Sequence, residues 1–165
     1  MPRTQHGTTE KGTRKKKTLA AGKASALLHE DHVRVQDMFK EYRTADASRK
    51  QELARTICSE LTVHTRIEEE LFYPSLRDAS DRSDLVNEAE VEHASAKQLI
   101  KEIEGMQPND RLFDARVTVL GEYVNHHIRE EEEQMFPQAE KSGIDTPDMA
   151  EQLKKRKQEL QQQVH

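Results

Sequence analysis

The chain has 165 residues, with 26 basic and 31 acidic side chains and a formal net charge of −5 at pH 7. Only 33% of the residues are hydrophobic and 35% are charged, against about 45–50% and about 25% in typical globular domains. Cys58 is the single cysteine, which excludes a disulfide scaffold, and no apolar run approaches the roughly 18 residues of a membrane span. We therefore expect one cytoplasmic domain, in which a small number of apolar residues must hold the fold.

Residues 1–23 differ from the rest of the chain, because they carry seven basic side chains, one acidic side chain and no apolar stretch. This composition predicts a basic disordered arm and lacks the apolar segment of a secretory signal. A basic arm can contact nucleic acid or an acidic partner. The remainder of the chain is strongly acidic, so we favour a solvated tail and do not expect nucleic acid to be the main partner.

From residue 24 onwards, apolar or histidine positions recur at alternating spacings of three and four, the pattern of a helix with one buried face. Four such series follow one another along the chain. They are Leu28, His32, Val35, Phe39 and Tyr42; Ile57, Leu61, His64, Glu68 and Leu71; Val86, Ala89, His93, Ala96, Ile100 and Ile103; and Phe113, Val117, Leu120, Val124, His127 and Glu131.

Capping and turn residues separate these series. Ser48 and Gln51 form a capping box at the start of the second helix, and Pro74 predicts its end. Gly105 and the Pro108 that follows it separate the third helix from the fourth. Thr146-Pro147 then predicts the N-terminus of a fifth, shorter helix.

The chain also repeats itself, because residues 64–74 align with residues 127–137 at an offset of 63, with six of eleven positions identical. Short connections between helices make neighbours antiparallel. The sequence therefore predicts an all-α fold: an up-down-up-down four-helix bundle of two similar helical hairpins over 24–143, followed by a C-terminal helix over 146–163.

Several inward-facing positions of this bundle carry metal-ligating side chains in place of aliphatic ones. Buried carboxylates are normally paired or bound to metal, because burying an unpartnered charge costs several kcal/mol. Within each copy of the repeat, histidine and glutamate stand four residues apart, so they share one helix face. The distances from the turns place all six side chains in one layer, which suits two adjacent first-row metal ions. The candidate ligands are His32, His64, Glu68, His93, His127 and Glu131.

The two His-x-x-x-Glu motifs, the two lone histidines that follow an acidic residue, and the Phe-Tyr-Pro and Met-Phe-Pro endings resemble the hemerythrin family, in its bacterial HHE cation-binding branch. This resemblance covers roughly residues 24–142. It implies a non-haem di-iron centre that binds dioxygen, peroxide or nitric oxide, in sensing, redox defence or iron handling, and it favours a binding protein over an enzyme. The implied ligand roles are bridging for Glu68 and Glu131, and terminal for His32, His64, His93 and His127.

Two departures distinguish this sequence from the oxygen-carrying members of the family. Those proteins have a second histidine one turn after the third-helix histidine, whereas this chain has Lys97. They also place an aspartate five residues after the last histidine, whereas Glu131 stands four residues after His127. These departures disfavour reversible oxygen transport.

Other interpretations remain open at the level of sequence. The ligand set also resembles di-iron proteins that repair iron-sulfur clusters. A ferritin-like iron-oxidising bundle expects Glu-x-x-His on two helices, of which Glu90 to His93 is the single instance, and a metal-free interaction bundle leaves the inward glutamates unexplained. Imidazole and carboxylate also serve manganese and zinc. Alternative ligands are Glu69, Glu132, His29 and His126, of which the two histidines are favoured as surface residues. Tyr42, Tyr73 and Tyr123 could line access to the metals, but aromatic packing is the default expectation for them.

Overall fold

The computed structural model describes residues 22–163, so almost all of the predicted basic arm over 1–23 lies outside the described residues. Every regular element in this part of the chain is helical, which confirms the all-α prediction. The elements are α1 (Ala24–Tyr42), α2 (Ala47–Ile67), π1 (Glu68–Phe72), α3 (Tyr73–Ala79), α4 (Ser83–Glu104), α5 (Phe113–Glu130), π2 (Glu131–Met135), α6 (Phe136–Lys141) and α7 (Pro147–Gln163).

These elements form the predicted bundle, with α1 packed on α2 and α4 packed on α5 as two hairpins. Two of the long helices are composite, since α2 continues through π1 into α3 and α5 continues through π2 into α6. The C-terminal helix α7 packs against α1, α2 and π1. Within the described range, no helix combines the length and the apolar character needed to cross a membrane.

The ends of α2 and α7 show one wrong and one correct capping prediction. The N-cap of α2 is Asp46, whose Oδ1 atom accepts a hydrogen bond from the Arg49 backbone N–H at 2.9 Å, so the predicted Ser48 capping box does not form. Asp46 lies two residues earlier and offers a charged acceptor to the first turn. At α7 the hydroxyl of Thr146 accepts a hydrogen bond from the Met149 N–H at 3.1 Å, as the sequence predicts.

Each composite helix contains one π-helical turn, and a proline follows each turn directly. The backbone N–H of Tyr73 donates to the carbonyl of Glu68, and the N–H of Phe136 donates to the carbonyl of Glu131. The next residue, Pro74 or Pro137, has no N–H to donate to the carbonyl four residues earlier. The helix therefore passes the proline by widening for one turn, and residues five apart come to lie on the same side.

The hydrophobic core consists of two clusters. The first joins the N-terminal parts of α1 and α4, the end of α2, both π turns, α3, α6 and α7. It contains Leu28, Ile67, Phe72, Leu76, Val86 and Leu153. The second fills the opposite end of the bundle and contains Phe39, Ile57, Leu61, Ile100, Val117 and Leu120. Buried histidine and glutamate side chains lie along the helices between residues of the two clusters.

Candidate metal centre

The structure brings together all six side chains predicted from sequence, and each is buried, with at most 9% of its surface exposed. Four helices each supply one histidine, and the first residue of each π turn supplies a glutamate. The histidine Nε2 atoms form two pairs. The Nε2 atoms are 3.2 Å apart between His32 and His64, and 3.1 Å apart between His93 and His127.

Each glutamate reaches from one histidine pair to the other. The Oε1 atom of Glu68 lies 2.9 Å from His64 Nε2, and its Oε2 atom lies 3.1 Å from His93 Nε2. The Oε1 atom of Glu131 lies 3.4 Å from His32 Nε2, and its Oε2 atom lies 3.2 Å from His127 Nε2. Two carboxylates therefore span two adjacent groups of donor atoms.

We call these groups the first and second positions. The first position is formed by His32, His64, Glu68 and Glu131, and the second contains Glu68, His93 and His127, with the donor atoms of each group within 4.8 Å of one another. The Oε1 atoms of both glutamates are buried, and each faces an imidazole Nε2 atom without a well-formed hydrogen bond. Two buried carboxylates shared among four imidazoles form a donor set that fits a pair of cations.

Four further carboxylates surround the centre and face the second ring nitrogen, Nδ1, of the four histidines; we call them the outer carboxylate ring. The Nδ1 atom of His32 lies 2.8 Å from Glu132, that of His64 lies 3.0 Å from Asp31, that of His93 lies 2.9 Å from Glu69, and that of His127 lies 3.6 Å from Glu92. The first three carboxylates lie within hydrogen-bonding distance, so they hold the proton on Nδ1 and leave Nε2 free to bind a cation. Glu92 is too far from His127 Nδ1 for a hydrogen bond.

The four alternative ligands lie in the outer carboxylate ring or beside it. Glu69 and Glu132 contact Nδ1 atoms at the periphery instead of the Nε2 atoms at the centre. His29 lies 2.6 Å from Glu132, and His126 lies 3.4 Å from Glu130; both imidazoles are partly exposed. The ring follows the sequence repeat, because Asp31 and Glu92 each precede the lone histidine of their hairpin by one residue.

Tyr73 lies at the centre of the site although it is not among the six predicted ligands. Its side chain is buried, and its hydroxyl oxygen lies 2.8 Å from Glu131 Oε2 and 3.1 Å from Glu68 Oε2. The same oxygen lies 3.2 Å from His93 Nε2 and 3.3 Å from His127 Nε2, so it faces the second position. The sequence feature that distinguishes Tyr73 is its position five residues after Glu68 and directly before Pro74.

The counterpart of Tyr73 in the repeat is Phe136, which has no hydroxyl group. Its ring is stacked on the His32 imidazole with centroids 5.9 Å apart. The two hairpins therefore differ at this residue: the second position faces a phenol oxygen, whereas the first position faces an apolar ring. The other tyrosines lie elsewhere, since the Tyr42 hydroxyl donates to Asp114 and Tyr123 is half exposed.

The electrostatics of the cluster follow from its excess of carboxylates. Burial alone would lower the pKa of the His127 imidazole, but Glu131 and Glu92 raise it to about 10. Burial would raise the pKa of Glu131, yet His127 and His32 hold it well below its usual range. The glutamates are therefore strong attractors of positive charge, which a metal ion can supply in place of protons.

A small cavity of about 30 Å³ lies beside the four imidazoles. Its walls include the apolar side chains of Val35, Leu61, Ala96, Val124 and Ile128. Tyr123 lines the cavity and is itself half exposed, so this end of the cavity lies near solvent. The volume is sufficient for a ligand of the size of one or two water molecules.

Comparison with known proteins identifies the class to which this fold and site belong. The hemerythrin HHE cation binding domain profile matches residues 23–139, and the chain belongs to this family. It is therefore a hemerythrin-like cation-binding domain with a candidate histidine and glutamate metal site.

Two individual proteins are similar to the chain. A crystal structure of a hemerythrin HHE cation binding domain-containing protein from Mycobacterium kansasii has a TM-score of 0.70 and 21% identity, covering 87% of this chain and 88% of that one, and it shares the fold. A DNA nickase from Nostoc sp. is 30% identical over 141 residues, covering 84% of this chain. The chain spans only 40% of the length of that relative.

Proposed function

We propose that this protein is a non-haem di-iron protein that binds a small ligand of the dioxygen, peroxide or nitric oxide class. The single observation that carries the proposal is the pair of fully buried glutamates, each of which spans both positions and leaves one oxygen without a hydrogen bond. His32 and His64 would hold the first ion, and His93 and His127 the second. Glu68 and Glu131 would bridge the two.

The choice of iron rests on membership of the hemerythrin family together with a donor set of imidazole and carboxylate groups, which suits iron. Tyr73 would add a fifth donor to the second position. A bound iron pair would supply electrons and an open coordination position to a small ligand. The protein's own contribution is to fix the Nε2 atoms toward the centre through the outer carboxylates and to keep bulk water away with apolar walls.

Lys97 supports a function other than oxygen transport. It stands where oxygen-carrying hemerythrins have an additional histidine, and its Nζ atom lies 2.7 Å from Glu69 Oε1. Glu69 in turn accepts a hydrogen bond from His93 Nδ1, so Lys97 supports the His93 ligand through Glu69 and is not itself a ligand. A phenol oxygen thus takes the place of an imidazole near the second position, and we propose that the centre serves in sensing, peroxide reaction or iron handling.

DNA nicking, the activity in the name of the Nostoc relative, is not carried over to this centre. All six donors are at least nine-tenths buried, and the adjoining cavity is about 30 Å³. A phosphodiester within a DNA strand could not reach the donor atoms without opening the bundle. The geometry favours a ligand of very few atoms.

Narrowing the cavity tests the proposal. Ala96 lines the cavity and is 8% exposed, whereas Ala94 is an exposed residue of the same helix. We expect Ala96→Val to keep the iron content of the anaerobically loaded protein and to weaken nitric oxide binding by at least tenfold in an optical titration. Ala94→Val is the matched control and should behave as wild type. Equal nitric oxide affinity in both variants would contradict a ligand site in this cavity.

A further inference from the structure

The C-terminal helix α7 lies outside the segment matched by the hemerythrin family, which ends at residue 139. It is nevertheless an integral part of the fold. Met149, Leu153 and Leu160 are buried in the same hydrophobic cluster as residues of α1 and α2. The connection that leads into α7 is also fixed to α1. In it, Asp145 accepts hydrogen bonds from the Ser25 backbone N–H at 2.9 Å and from the Ser25 hydroxyl at 2.6 Å.

One side chain of α7 reaches the outer carboxylate ring. The Nζ atom of Lys157 forms an ion pair with Asp31 Oδ1, and the other oxygen, Asp31 Oδ2, accepts from His64 Nδ1 at 3.0 Å. Asp31 is buried and the Lys157 side chain is 15% exposed. Arg34 also contacts Asp31, at 2.6 Å, but its side chain is 48% exposed and it interacts with Glu60 as well.

The residue before Lys157 in α7 contacts π1, the segment that carries Glu68. Arg156 forms two contacts with Glu70, from Nε at 2.6 Å and from Nη2 at 3.2 Å. Glu70 belongs to π1, the turn that begins with Glu68. Two consecutive residues of α7 thus touch the support of His64, which belongs to the first position alone, and the turn that carries Glu68, which belongs to both positions.

Among the described residues, α7 contacts neither outer carboxylate of the second position. Its outer carboxylate Glu69 is held by Lys97 of α4, and Glu92 lies 3.8 Å from His126 of α5. Both of these partners come from the bundle itself. The two positions therefore have similar ligands and similar outer carboxylates, but only the first, among the described residues, has its outer carboxylate held by the C-terminal helix.

We propose that docking of α7 sets the metal affinity of the first position, with Lys157 as a positioning residue that acts through Asp31 on His64. This inference rests on the proposed di-iron function. Lys157 holds one oxygen of a buried carboxylate so that the other faces His64 Nδ1, and an imidazole held in this way points Nε2 at the cation. Because coupling is reciprocal, metal in the first position stabilises the docked helix.

Stepwise anaerobic binding of ferrous iron to the full chain tests this coupling. Lys157→Met keeps the aliphatic stem and removes the charge, and Lys154→Met is the matched control at an exposed lysine of the same helix. Loss of a carboxylate that holds a metal-ligating imidazole costs about 10–100-fold in metal affinity, and Lys157 acts one contact further out, through Asp31. We expect a loss of affinity below that range in one of the two binding events for Lys157→Met, recovery with Lys157→Arg, and wild-type behaviour for Lys154→Met.

Two further comparisons separate positioning from a general loss of structure. Asp31→Asn combined with Lys157→Met should bind iron no more weakly than Asp31→Asn alone, because both changes act on the same contact. Hydrogen exchange of the α7 amides should slow on iron loading in wild type, and this protection should be absent in Lys157→Met. A merely structural role of Lys157 would instead weaken both binding events and speed exchange without iron.

The outcomes distinguish this inference from the proposed function beneath it. If wild type binds no iron, the di-iron proposal fails. If wild type binds two ions and Lys157→Met matches Lys154→Met in both binding events, the di-iron proposal stands and the coupling through α7 is wrong. Equal weakening of both events in Lys157→Met would likewise overturn the assignment to the first position.

Discussion

Glu68 and Glu131 occupy positions in the helical stripes where a metal-free bundle would place leucine or isoleucine. Both are fully buried, and each lies against imidazole Nε2 atoms from two helices. Without a metal ion, the charge of these carboxylates is balanced by protonated imidazoles, which hold the pKa of Glu131 well below its usual range. Their presence in the core therefore indicates a site selected for binding charge.

Replacing either glutamate by glutamine tests the bridging role. Glu68→Gln and Glu131→Gln keep the shape of the side chain but remove the charge, so we expect each variant to lose at least one metal ion per chain. The metal-free variants should melt below metal-free wild type, since the buried imidazoles beside the glutamate lose their charge partner. Elemental analysis and thermal denaturation measure both effects, with the exposed Glu133→Gln as control. Full metal content in both variants would refute bridging.

Tyr73 provides a second test at the scale of one atom. Tyr73→Phe keeps the buried ring and removes only the oxygen that faces the second position, so it should fold normally and bind one of two ferrous ions at least several-fold more weakly. Tyr42→Phe is the matched control, because Tyr42 is also buried but donates to Asp114. Identical iron titrations for the two variants would show that the Tyr73 oxygen is not a donor.

At the scale of the element, the π turns are what bring the glutamates and Tyr73 to one face. Their cause is local, since Pro74 and Pro137 cannot donate the hydrogen bond that a regular α-helix requires. Cys58, in the regular part of α2, is buried in the core, and burial raises its thiol pKa to about 12.

Restoring the missing donor should perturb the centre. Pro74→Ala supplies an N–H that can bond to the carbonyl four residues earlier, which allows π1 to relax toward a regular α-helix and rotates Tyr73 away from Glu68. We expect weaker iron binding with unchanged helix content by circular dichroism. Pro108→Ala, in the connection between α4 and α5, should leave binding unchanged. Wild-type iron affinity in Pro74→Ala would mean that the π turn is not needed for the site.

The helices and the inward histidines and glutamates could be predicted because periodicity is a local property of sequence. The π turns could not, because Pro74 more commonly ends a helix than widens one. The sequence indicates two of the outer carboxylates, Glu69 and Glu132, only as alternative ligands, since spacing shows which face a residue occupies but not which imidazole nitrogen it contacts. The contact between Lys157 and Asp31 joins residues 126 positions apart, and no local pattern encodes it.

At the scale of the whole molecule, the low apolar content of the chain is explained by where its apolar side chains lie. The apolar side chains are concentrated in two clusters, and the polar layer of histidine and glutamate lies along the same helices. Because a ligand that binds only the native state stabilises it, a metal pair in this layer would contribute directly to folding stability.

We therefore expect the metal-loaded protein to melt at a clearly higher temperature than the metal-free protein. The comparison is made by circular dichroism under anaerobic conditions, with the same preparation before and after ferrous loading. Glu131→Gln should show a smaller increase than wild type because part of the site is lost. Equal melting temperatures for loaded and metal-free wild type would show that the layer does not couple metal binding to folding.

The content of iron per chain tests the central claim most directly. Purified full-length protein, freed of metal, loaded anaerobically with ferrous iron and passed through a desalting column, should retain about two iron ions per chain by elemental analysis. Manganese and zinc loading under the same conditions compare the alternative metals. Retention of two tightly bound iron ions is the predicted result. Retention of one ion or none by a correctly folded, helical protein would contradict a di-iron centre built from these six residues.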